Sequence, residues 1–112
     1  MSNTDSILKT MIENELGENM AFVLSHHQAE NPHRIEVARD ETVFIHKISI
    51  EASINFWLEF HSATESRIIQ RDISSAQKID YDIISIHKGA INFSKSHAFD
   101  YTVQYVKLKI IK

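Results

Sequence analysis

The side chains with the widest chemical reach in this 112-residue chain are its seven histidines, because cysteine is absent. Without thiolates, a transition-metal site has to be built from imidazole and carboxylate. Its local signature is His-x-His along a strand, or two histidines four apart on a helix. Neither spacing occurs. His26 and His27 are adjacent in an extended segment, so they point to opposite faces and cannot chelate one ion together. His46, His61 and His87 fall in separate strands, where only tertiary structure can bring them together. No metal and no cofactor is expected.

Phosphate and nucleophile chemistry are excluded more firmly. A phosphate-cradling loop needs several close glycines, so that bare backbone N–H groups can approach the anion. Gly17 and Gly89 are the only two, and they stand far apart. The strained serine turn of the α/β-hydrolases fails for the same reason. Proton transfer needs less, only one tuned histidine with a carboxylate. Glu59 and His61 lie two apart on one strand face, and with His87 or Tyr101 they would line a pocket inside a helix-capped sheet. That makes a small-molecule pocket, or a cofactor-free acid–base enzyme, the alternative function. Strand parity, however, turns Glu59 and His61 towards solvent.

Trp57 shares that outward parity, between Asn55 and Glu59. A large aromatic on a polar sheet face is either covered by another element or is an anchor for a partner, because tryptophan concentrates at binding hot spots. Charge adds to the second option. Residues 1–60 are acid-rich and residues 61–112 base-rich, around a net charge of −3. If Glu36, Asp40 and Glu41 share a face with Asn55, Trp57, Glu59 and His61, that surface suits a basic protein partner.

The elements that must position these residues follow from periodicity. Residues 6–19 place Ile7, Leu8, Met11, Ile12 and Leu16 on one helical face, with Gly17 as a stop and residues 1–5 as a flexible tail. From residue 20 the period becomes two, giving strands over 20–27, 34–39, 42–50, 54–62, 67–73, 81–87, 91–93 and 99–111. In 54–62, Ile54, Phe56, Leu58 and Phe60 face inward. The apolar phase switches between Ile83 and Ile84 and again near Tyr105, as expected of bulges that bend long strands. The expected architecture is α+β in one domain over 1–112: the amphipathic helix packed on a curved, mainly antiparallel sheet of six to eight strands.

A cysteine-free chain with no basic, apolar leader is expected to be cytoplasmic and to have no membrane association. Lys107, Lys109 and Lys112 on the last strand read as edge protection, so nucleic acid is not an expected partner. The expected function is a non-enzymatic binding protein that inhibits or neutralises a partner by occlusion, such as an immunity or phage inhibitor protein facing a basic toxin or nuclease. A homo-oligomeric component, joined through the C-terminal edge strand, is the further alternative.

Overall fold

Alternating apolar and polar side chains commit a segment to a strand, and each strand then needs backbone partners and a cover for its apolar face. The computed structural model describes residues 22–110 together with Thr10, Glu13 and Asn14. Its strands are β1 (Phe22–Glu30), β2 (Arg34–Ile35), β3 (Glu41–Ala52), β4 (Phe56–His61), β5 (Ser66–Arg71), β6 (Gln77–His87), β7 (Ile91–Lys95) and β8 (Asp100–Ile110). They form two four-stranded sheets, A in the order β1-β8-β3-β6 and B in the order β2-β7-β4-β5. Every pairing is antiparallel.

The first four strands pair with the last four in reverse order: β1 with β8, β2 with β7, β3 with β6 and β4 with β5. A long hairpin rolled up on itself has this connectivity. The β3–β8 and β4–β7 pairings complete the two sheets of a jelly roll.

The α+β expectation is overturned. Residues 22–110 are all-β, and among the described residues no helix packs on either sheet. The physical reason is that the sheets cover each other: Ile45, Ile48, Ile50 and Val103 of sheet A meet Leu58, Phe60 and Ile91 of sheet B, all fully buried. The tail over 1–5 and the helix over 6–19 lie outside the described residues, apart from Thr10, Glu13 and Asn14. Ile54 is a second correction. It sits in the bend before β4 and is 58% exposed, so the inward row begins at Phe56. The third concerns β8, which lies between β1 and β3 and is no edge. Its Lys107 and Lys109 reach Glu41 and Asp40 instead, at 4.0 and 3.6 Å.

The phase switches have two different causes. Between Ile45 and Lys47 the register of β3 shifts against both neighbours. Ser85 faces Ile45 and Asp82 faces Lys47, so Ile83 and Ile84 together oppose His46, a bulge where the sequence places one. On the other side Tyr105 faces Ile45 and Gln104 faces Lys47, which makes His46 the extra residue. β8 itself runs in unbroken register with β1. Its switch arises because Val103 and Tyr105 face the inter-sheet core, whereas Val106 and Leu108 join Phe44 in a second buried cluster on the opposite face.

Asn31 ends β1 in the left-handed region, at φ 49°, which asparagine tolerates better than most residues. Its backbone N–H donates to the Tyr101 carbonyl at 2.8 Å, and its Oδ1 accepts from the Tyr101 N–H at 2.9 Å. The Tyr101 hydroxyl donates to the Pro32 carbonyl, and burial pushes its pKa up to about 12. Tyr81 differs. Its hydroxyl is buried with no hydrogen-bond partner among the described residues. Deleting an unpaired buried polar atom removes a desolvation cost, so Tyr81→Phe is expected to be neutral or to stabilise by up to about 1 kcal/mol in chemical denaturation. A loss beyond about 1 kcal/mol would show that the hydroxyl is bonded in solution.

Candidate interaction face

Parity along β4 sends Phe56, Leu58 and Phe60 into the core and Trp57, Glu59 and His61 to the outer face of sheet B. Register then supplies their neighbours. Gln70 lies opposite Trp57, Ile68 opposite Glu59, and Ser66 opposite His61, all on β5. On the β7 side, Ser94 lies opposite Glu59 and Asn92 opposite His61. Ser96 continues that pairing, its N–H donating to the Trp57 carbonyl and its hydroxyl accepting from the Trp57 N–H, both at 3.1 Å.

Trp57 is half-buried, and Ile68 beside it is 57% exposed. The His61 imidazole approaches the Glu59 carboxylate at 4.0 Å, with both side chains well exposed. One step across the sheet, Arg34 donates to Glu36 at 2.6 Å and to the Asn92 side chain at 3.3 Å. The face thus has an apolar centre with a polar rim, in which Arg34 and Glu36 form an ion pair.

The seven candidate residues do not all converge here. Trp57, Glu59 and His61 stand together, and Glu36 joins them through Arg34 and Asn92. Asn55 is taken up by the fold, its Oδ1 accepting the Ile73 N–H at 2.7 Å and tying the bend before β4 to the end of β5. Asp40 and Glu41 lie at the start of β3 in sheet A, facing Lys109 and Lys107, with Glu41 also accepting from the Ala38 N–H at 2.9 Å. Sequence reasoning missed Ile68. The signal was available, because Ile68 and Ile69 are adjacent in one strand and parity must turn one of them outward.

The acids gather elsewhere. Register places Glu30, Glu51, Asp80, Asp82 and Asp100 on the outer face of sheet A, with Lys47 and Lys78. A hydrogen bond from Ser49 holds the Asp80 carboxyl below its ordinary pKa, helped by Lys47 and Lys78 against a smaller effect of burial. An open groove of ≈ 360 Å³ crosses this face, lined by Gln28, Glu30, Ser49, Glu51 and Gln104 among others.

Nor do His46, His61 and His87 meet. His61 is on the outer face of sheet B, whereas His46 lines a groove with His26 and His27 at the β1 edge of sheet A. His87 is fully buried. Among the described residues no three histidine, aspartate or glutamate side chains are grouped to hold a metal ion. His87 does make a serine–histidine pair, its Nδ1 lying 2.6 Å from the Ser62 hydroxyl and its Nε2 2.9 Å from that of Ser85. No carboxylate orients the ring and its zero exposure denies a substrate access, so the pair braces the structure. Glu59 and His61 on the outside share no cavity with His87 and Tyr101 in the core.

No helix among the described residues is long and apolar enough to cross a membrane. No family model and no curated protein matches the chain. Among solved structures it is similar to a chain from a structure of Bacillus endospore appendages, described as forming a novel family of disulfide-linked pili. That likeness has 6% identity and a TM-score of 0.42, over 85% of this chain and 93% of the other. A family two carbohydrate esterase from Cellvibrio japonicus aligns with 13% identity and a TM-score of 0.33, over 80% of this chain and 35% of that one. The Drosophila melanogaster CENP-C cupin domain aligns with 10% identity and a TM-score of 0.25, over 99% and 100%. At these values the likenesses carry no weight for function.

Proposed function

We propose that this chain is a binding protein that inhibits or neutralises a protein partner by occlusion, docking through the outer face of sheet B. What supports this most is one juxtaposition: the half-buried Trp57 beside the exposed Ile68, ringed by Glu59, His61, Gln70 and Ser94. A few aromatic and aliphatic anchors inside a polar rim supply most of the energy in many protein interfaces. Because Arg34 and Glu36 offset each other and the centre of the face is apolar, the partner it fits presents an apolar pocket with a polar border, and need not be strongly basic. A basic toxin or nuclease would instead be drawn to the outer face of sheet A, where the carboxylates outnumber the lysines. The cysteine-free composition suits a cytoplasmic location.

The test is capture from the source cells with two baits, the wild-type chain and Trp57→Ala, at low and moderate salt. A stoichiometric partner is expected on the wild-type bait, held about 30-fold more weakly by the variant, the equivalent of a 2 kcal/mol hot spot. Affinity should change little with salt. Equal retention on both baits would move the interface away from Trp57. Release by salt alone would point to sheet A.

A further inference from the structure

A two-sheet fold has four edges, and this one guards three of them. β2 offers only Arg34 and Ile35. β5 carries Arg67 and Arg71. β6 carries Lys78, Asp80 and Asp82, and beyond them its backbone is latched by side chains from the β4–β5 loop and β5. There Glu65 accepts the Ile86 N–H at 2.8 Å, Thr64 caps the Ile86 carbonyl and the Lys88 N–H, and Arg67 donates to the Ile84 carbonyl at 3.1 Å. Short, charged or capped edges are how sheets avoid pairing with other chains.

Among the described residues β1 has none of these devices. Its nine residues contain no proline and no Asp, Glu, Lys or Arg before Glu30. Residues 23–28 are all exposed, with Val23 at 51% and Leu24 at 38%. Which backbone groups are open follows from the ladder. Antiparallel partners alternate between pairs that exchange hydrogen bonds and pairs that do not. Asn31, one step past the Glu30–Thr102 pair, donates to the Tyr101 carbonyl, so the odd-numbered residues bond to β8. Phe22, Leu24, His26, Gln28 and Glu30 therefore turn their N–H and C=O groups to the open edge.

We propose that β1 is the interface between two copies of this chain, paired antiparallel in full register about His26, so that two A sheets join into one. In that register Phe22 faces the partner's Glu30, Leu24 faces the partner's Gln28, and His26 faces its own counterpart. No two carboxylates oppose each other. Each open residue meets an open residue, giving about ten inter-chain backbone hydrogen bonds. Ser25 meets the partner's His27, the same two side chains that bond at 2.9 Å within one chain. Because the opposite edge of sheet A is charged and latched, the pairing closes as a two-fold dimer and does not run on into a fibre.

The absence of native cysteine makes a clean test. In full register the two residues 26 have Cα atoms about 5.5 Å apart, within disulfide reach. Residues 24 are about 14 Å apart, beyond it. The wild-type chain is expected to sediment as a dimer, and His26→Cys to cross-link under mild oxidation at least about tenfold faster than Leu24→Cys. His26→Pro removes only an outward N–H, so it should yield a folded monomer whose melting temperature, unlike that of the wild type, does not rise with protein concentration. A wild-type monomer at millimolar concentration would overturn the proposal. So would a dimer that survives His26→Pro, or equal cross-linking of the two cysteine variants.

Discussion

Truncating Phe60 to alanine is expected to remove about 3–5 kcal/mol of folding free energy. Phe60 is fully buried at the centre of sheet B's inner face. Its ring lies 5.8 Å from those of Phe93 and His87, and the aromatic chain continues from Phe93 to Tyr101 at 6.0 Å and from Tyr101 to Phe99 at 6.1 Å. The void left by the ring would be walled by strands on both sheets, which hydrogen bonding keeps from collapsing inward. A domain of this size has only about 5–15 kcal/mol to lose, so the variant should sit near the limit of folding. Phe60→Leu, which keeps most of the apolar volume, should lose much less. Guanidinium denaturation of both variants measures the difference. A loss below about 1 kcal/mol for the alanine would mean that the centre of the core lies elsewhere.

The second large effect is expected at His87, and it depends on pH. Burial lowers the pKa of this imidazole; Glu65 opposes the shift and Arg67 reinforces it. A histidine with a depressed folded pKa is bound neutral, while in the unfolded chain it takes up a proton near pH ~6.5. Unfolding therefore binds protons as pH falls, and the native state is stabilised fully above pH ~6.5 and progressively less below it, down to the lowered folded value. His87→Gln removes the titration but leaves Ser62 and Ser85 imperfectly satisfied. It should cost about 1–3 kcal/mol at pH 7.5 and flatten the decline between pH 7 and 5. The comparison is of denaturation midpoints for both chains at several pH values. If wild type and variant lose stability in parallel on acidification, His87 is not the group responsible.

The same cluster explains part of what was not legible beforehand. Ser62, Thr64, Glu65, Ser85 and His87 read as turn and strand-end residues in sequence. Only folding brings the β4–β5 loop against β6, where Thr64 and Glu65 satisfy backbone groups that β6 would otherwise present to solvent. The helix-capped sheet was the wrong architecture for a related reason. Inward rows such as Phe56-Leu58-Phe60 show that something must cover them, but a helix and a second sheet cover an apolar face equally well.

The sequence by itself determined the local quantities. Seven of the eight strands were visible as period-two runs near their final places; β2 was overdrawn, 34–39 shrinking to Arg34–Ile35. The outward parity of Trp57, Glu59 and His61 and the bulge at Ile83–Ile84 were legible too, because a side chain's face depends only on its neighbours in the strand. Tertiary structure alone decided which strands share a sheet. It sent Asp40 and Glu41 to sheet A and Trp57 to sheet B, and gathered Glu30, Glu51, Asp80, Asp82 and Asp100 on the face opposite the tryptophan. It also placed β8 inside its sheet and left β1 at the edge. Pairing joins residues as far apart as Phe22 and Ile110, and no local pattern encodes a hydrogen bond across that separation.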